Sequence, residues 1–292
     1  MFQRSINKLC YNIALIWFFL VSHSVSAMTA EASDHSKPLV ITTTKPLAII
    51  AQSALGDHAR VDYIIPTGQS PHDAVITVSA AKTLAAAQLV LWLGEHFELR
   101  MAKHLRLISP AKVITALDLL AADIKQSENN SHPEFTVDPH IWLSPKLANR
   151  IANALQQHFN LPPKAIFTQS DRVSMQKILG TAEDKNYLFH HDAIGYFVAE
   201  FNLQAPLTIR TKMGEARGAK AHYNLRVKAR ELAVHCVFVE PQHGSADALK
   251  IAEDLQLPIK QLDLQLSNQS FEQLTYNDYM TGIATQFKAC FE

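Results

Sequence analysis

RVDYIIPTGQSPHDAVITVSAAKTLAAAQLVLWLG, residues 60–94, holds one complete strand–helix–strand unit. Residues 60–65 alternate apolar and polar side chains, the period of a strand. Residues 66–71 are turn formers, so the chain leaves that strand in a loop. Residues 79–88 are alanine-rich and read as a helix. Residues 89–93 are uninterruptedly apolar and stop at Gly94, the pattern of a strand buried on both faces. Strands joined through a helix run parallel, because a parallel pair needs a crossover.

The same alternation continues on both sides. Residues 39–44 (LVITTT) are short and β-branched, a strand. Pro46 suits a first helical turn, and the helix runs on through 47–55 to Gly56. Residues 95–106 have helical spacing and 112–116 form another short strand. The order β-α-β-α-β-α-β implies a parallel sheet with helices on both faces. Residues 122–139 are polar and rich in turn formers, an exposed loop. Ser144-Pro145 then opens a helix to about 159, Pro162-Pro163 interrupts it, and a second helical stretch ends near Gly180. Beyond it, strands are expected at 186–190, 205–209, 234–239 and 259–262. Helices are expected at 193–201, 224–233, 246–255 and 271–290. The fold expected is therefore α/β, with two parallel-sheet lobes and a linking helical region between them. Residues 28–144 form the first lobe, 145–180 the link and 181–292 the second lobe.

Composition narrows the function. The chain has 292 residues and is 48% apolar, which excludes a disordered protein. Its 27 basic and 27 acidic residues leave no excess that would draw nucleic acid or an anionic membrane. It has neither of the glycine-rich phosphate cradles, GxxxxGK[ST] and GxGxxG. Residues 1–27 read as a secretory leader: Arg4 and Lys8 lead, an apolar run follows, and Val25-Ser26-Ala27 fits a cleavage site. The apolar run is short for a membrane span. The product is expected to be exported, most simply to a periplasm. Cys10 leaves with the leader, and the remaining pair, Cys236 and Cys290, reads as one disulfide.

Histidine is the unusual count, at 14. Three histidines sit where strands hand over to loops: His72 after residues 60–65, His140 in DPHIWLSP, and His191 in FHHDAIGYF. In open α/β sheets ligands bind outside the carboxyl ends of the strands. Three imidazoles converging there suit Zn²⁺. His35 and His58 read as surface residues, Trp92 and Trp142 as packing, and Glu95-His96 as part of the cleft rim.

The segments GQSPHDAVITVSAAKTLAAAQLVLWLG, DPHIWLSPKLANRIA, FHHDAIGYF and CVFVEPQHG resemble the cluster A-I metal-binding proteins of ABC importers, and within them the periplasmic zinc-uptake branch. The resemblance spans nearly all of residues 39–290. It implies two α/β lobes with the metal in the cleft between them. It implies that His72, His140 and His191 coordinate the ion, the H-D-A frame selecting His191 over His190. Asp263, in QLDLQLS, resembles an aspartate that many members supply from the second lobe, so it is expected as a fourth contributor. Manganese-selective members typically carry a carboxylate at the position matching His191; a third imidazole moves the site toward Zn²⁺.

Four features depart from the family pattern. Pro71 stands where some zinc members carry a glutamate. The 122–139 loop holds only one imidazole, His132. The linking region is short and broken by Pro162-Pro163. His243 in EPQHG is a spare imidazole near the site.

The function expected is capture of Zn²⁺ as transported cargo, with delivery to a membrane permease powered by a cytoplasmic ATPase. A monomer without enzymatic activity or catalytic residues is expected. The alternatives are a manganese-binding importer component and a secreted zinc hydrolase. Against the hydrolase, the sequence lacks HExxH and shows no glutamate beside the ligands as a general base; Asp192 is the nearest acid and reads as structural.

Overall fold

A computed structural model of the chain describes residues 36–72, 74–122 and 138–292. The expected leader, Cys10, His35, Asp73 and His132 lie outside the described residues. Four strands, Leu39–Thr42 (β1), Arg60–Tyr63 (β2), Leu89–Trp92 (β3) and Val113–Thr115 (β4), form a parallel sheet in the order β2-β1-β3-β4. A second parallel sheet, from Leu188–Phe189 (β5), Leu207–Thr208 (β6), Val237–Val239 (β7) and Ile259–Gln261 (β8), has the order β6-β5-β7-β8. Both sheets share one winding. The chain steps to one side of the first strand, then crosses to the other side. Each sheet thus has a switch point, beside β1 in one and beside β5 in the other, where a crevice opens at the carboxyl ends. The expected two-lobe α/β class is the observed one.

The helices between the sheets follow their sequence signals. Pro145–His158 starts where Ser144 Oγ accepts the Leu147 amide and a proline occupies the first turn. Its buried stripe is Leu147, Ala148, Ile151, Ala152 and Leu155, the spacing of one helix face. Gln169–Leu179 starts at a capping box between Thr168 and Asp171. The prolines lie between these two helices, where no amide is needed. Gln156 fastens that connection, donating to the carbonyls of Ala54 and Lys164 and accepting the Lys164 amide.

The terminal helix Tyr276–Lys288 ties the halves together. The Tyr276 hydroxyl donates to the Trp142 carbonyl and its amide donates to Ser53 Oγ, both in the first half of the chain. Buried Lys45 reaches the other way and donates to the carbonyls of Leu266 and Gln269. Cys236, just before β7, is joined to Cys290 after the terminal helix, as the cysteine count predicts. Among the described residues no helix is long and apolar enough to cross a membrane.

Several boundaries differ from expectation. The final helix, expected from 271, begins at Tyr276, where Thr275 and Asp278 form a capping box after a short turn at Phe271–Gln273. The strand expected from 234 begins at Val237. The helix expected from 224 begins at Ala219, because Gly218 is the last breaker before it. The helix expected from 95 begins only at Leu99. Gly94 takes a φ of 142°, and the Glu98 side chain folds back to accept the Leu93 amide, so residues 94–98 form a loop. Burial pushes the Glu98 carboxyl up to about 7, against the hydrogen bonds that favour its charge. Between its ordinary pKa of 4.5 and about 7, folding takes up a proton, so stability falls as pH rises through that window. The loss is on the order of 3 kcal/mol, complete above pH 7. Glu98→Gln keeps an acceptor for Leu93 and removes the charge. Its melting temperature is expected to gain more over the parent at pH 8 than at pH 5; an equal shift at both values would contradict this.

Candidate metal centre

His72, His140 and His191 come together between the carboxyl ends of the two sheets, with ring nitrogens within 4.8 Å of one another. His72 is delivered by the loop after β2, His140 by the segment before the helix Pro145–His158, and His191 by the turn after β5. Ring centroids lie 6.0 Å apart for His72 and His140, 6.1 Å for His72 and His191, and 5.2 Å for His140 and His191. Phe97 stands edge-on to His72 at 4.3 Å, and Trp142 to His140 at 5.3 Å. The space among them measures about 20 Å³, room for one water-sized body. An organic substrate needs a pocket of several hundred Å³.

Carboxylates hold two of the rings. His140 Nδ1 lies 2.7 Å from Asp138 Oδ1, which also accepts the His140 amide at 3.0 Å. His191 Nδ1 is hydrogen-bonded to Glu240 Oε2. Burial alone would disfavour charge on His191 and on Glu240. Their mutual attraction outweighs it, raising the imidazole pKa and lowering the carboxyl pKa. Asp138 is lowered in the same way, its partner His140 overcoming burial. With each Nδ1 set against a carboxylate oxygen, the neutral ring carries its proton there and turns the Nε2 lone pair inward.

Those two Nε2 atoms face each other at 3.3 Å. Lone pair against lone pair is repulsive unless a proton sits on one nitrogen or a cation sits between them. The separation is also about the edge of a tetrahedron built on Zn–N bonds of about 2.0–2.1 Å. His72 has a buried Nδ1 without a partner among the described residues. Its pKa falls to about 2, through burial and then through the neighbouring imidazoles of His140, His191 and His243. It stays neutral, which is the form that binds metal.

Asp263 does not join these imidazoles. Its Oδ1 accepts the Gln265 amide at 3.0 Å and its Oδ2 accepts the Ser267 amide at 2.6 Å, so the carboxylate closes its own loop. Among the described residues it belongs to neither of the two side-chain groups able to hold a metal. His190 pairs with Asp247, itself held by Arg210, and is not in the cluster either. Glu95 pairs with Arg106, and Trp92 donates to Thr115 in the first-lobe core. Trp142, expected as packing, also lines the cavity.

A glutamate the sequence reading did not single out stands beside the ligands: Glu240 touches His191. It is the only acidic side chain lining the cavity among the described residues. Its contact with Nδ1 occupies it, so it orients a ring and leaves no free general base. In the sequence Glu240 is only a carboxylate at the carboxyl end of a strand, 49 residues from His191, and nothing local links the two. Asp138, two residues before His140, was visible. Glu240→Gln should weaken metal binding about 10- to 100-fold, as loss of such carboxylate partners does. A competition titration showing unchanged affinity would contradict the orienting role.

The sequence profile described as "ZnuA: Zinc-uptake complex component A periplasmic" matches residues 40–161 and 167–290. The high-affinity zinc uptake system protein ZnuA of Yersinia pestis is 25% identical over 311 residues, covering 94% of this chain and 98% of that protein. The protein of the same name from Haemophilus influenzae is 23% identical, covering 91% and 97%. Among solved structures, the periplasmic zinc binding protein TroA from Treponema pallidum superposes with a TM-score of 0.72 at 19% identity, covering 87% of this chain and 99% of that one. At that identity the likeness establishes the fold.

Proposed function

The chain belongs to the ZnuA family of periplasmic zinc-uptake components, and we propose that it captures Zn²⁺ through His72, His140 and His191. In this reading the ion is cargo. The protein works in the periplasm as a monomer, passes zinc to a membrane permease driven by a cytoplasmic ATPase, and catalyses no reaction. Residues 28–144 and 181–292 act as the two lobes, and 145–180 as their link.

The observation that carries the reading is the pair of inward Nε2 atoms 3.3 Å apart, each ring fixed from behind by a carboxylate. Such carboxylate–histidine pairs orient zinc ligands and raise their basicity. The small cavity favours a bare ion over a molecule. Three imidazoles favour zinc over harder cations such as Mn²⁺.

Calorimetry on the metal-free protein is expected to give one Zn²⁺ per chain. Zinc at 1,000 times its dissociation constant should add about 4 kcal/mol to stability. Absence of a zinc-induced rise in melting temperature would refute the reading, as would equal stabilisation by Mn²⁺.

A further inference from the structure

We propose that His243 is the fourth zinc ligand, so that this protein holds its cargo with four imidazoles and no carboxylate. The proposal rests on the three-histidine reading above and extends it.

The candidates for the fourth position are few. Pro71 has no side-chain donor atom. Both carboxylate oxygens of Asp263 are engaged by amides of its own loop. Glu240 holds Nδ1 of His191. What remains in the cavity wall among the described residues is His243, the amides of Gln242 and Gln265, and the Thr44 hydroxyl. Of these, imidazole is the donor that zinc prefers.

His243 is placed to serve. The Glu240-Pro241-Gln242-His243 turn is closed by the His243 amide donating to the Glu240 carbonyl. This one turn puts Glu240 against Nδ1 of His191 and the His243 ring 4.7 Å from the same imidazole, centre to centre. His191, Glu240 and His243 form the second group of metal-capable side chains, and His191 is common to both groups. The His243 ring makes no hydrogen bond among the described residues. It is half-buried, with exposed Gly244 next in the chain, so it is free to swing toward His72 and His140 when an ion arrives.

Charge balance also permits it. Four neutral imidazoles leave the ion's 2+ charge intact, but Asp138 and Glu240 stand directly behind two of them. A ligating carboxylate is not needed where two charged partners already sit one ring away. His243 also lines the more open groove beside the cavity, with Gln69, Ser70 and Val75. It is therefore the ligand between the ion and the outside, and the first to let go.

X-ray absorption at the zinc edge counts imidazole ligands directly. The zinc-loaded parent is expected to show four, and His243→Phe and His243→Gln three with one light-atom ligand. Zinc release into a chelator should be about tenfold or more faster in both variants. Three imidazoles in the parent, unchanged in both variants, would overturn the role of His243 and leave the three-histidine reading standing. Fewer than three in the parent would overturn both.

Discussion

His72→Ala, His140→Ala and His191→Ala are each expected to lower zinc affinity about a hundredfold or more, about 3 kcal/mol. Their effects on the metal-free protein should differ, because the rings have different supports. His191 is the partner of a fully buried glutamate. Truncating it leaves Glu240 charged without its hydrogen bond, a change that costs about 3–5 kcal/mol when a buried pair is broken. His140→Ala strands Asp138 in the same way. Among the described residues no carboxylate stands behind His72, and its Nδ1 has no partner that the apo fold would lose. His72→Ala should therefore lose zinc while keeping the apo melting temperature. Competition titration read beside apo melting curves separates the two effects. A His72→Ala protein that binds zinc like the parent would remove that residue from the site. An apo His191→Ala protein as stable as the parent would contradict the pairing with Glu240.

Removing the Cys236–Cys290 bridge is expected to cost about 4 kcal/mol, from the loop-closure entropy of a crosslink spanning 54 positions. The bridge fastens the end of the terminal helix to the start of β7, and β7 carries Glu240 at its other end. That helix buries Tyr276, Tyr279, Met280, Ile283 and Phe287, so the crosslink restrains chain that must otherwise be ordered at full entropic cost. A Cys236→Ala/Cys290→Ala double variant should unfold at a lower denaturant concentration while keeping one zinc site. A stability loss under about 1 kcal/mol would show that the helix is held by packing alone.

The parallel architecture was legible because buried strands, alanine-rich helices and turn formers alternate with little ambiguity between 39 and 94. The three histidines were legible from their shared position after strands and from the motifs around them. Glu240 was not, since it lies 49 residues from His191 and only strand pairing brings it near. Once β5 and β7 are paired, the register Phe189↔Phe238, carried two residues on, sets His191 opposite Glu240. The sheet order thus supplied what composition could not. Asp263 stands apart from the imidazoles for a local reason. A carboxylate just past a strand looks available, but the amides two and four residues on capture it, as aspartate side chains do in tight turns. Residues 95–98 failed as helix because their spacing is helical while Gly94 and the folded-back Glu98 enforce a loop.

Crystals of the zinc-loaded protein, measured on either side of the zinc absorption edge, locate the ion itself relative to His72, His140 and His191. One strong anomalous peak per chain is expected between Nε2 of His140 and Nε2 of His191, within bonding distance of His72. A peak elsewhere on the chain, with the space between those two nitrogens empty, would contradict it.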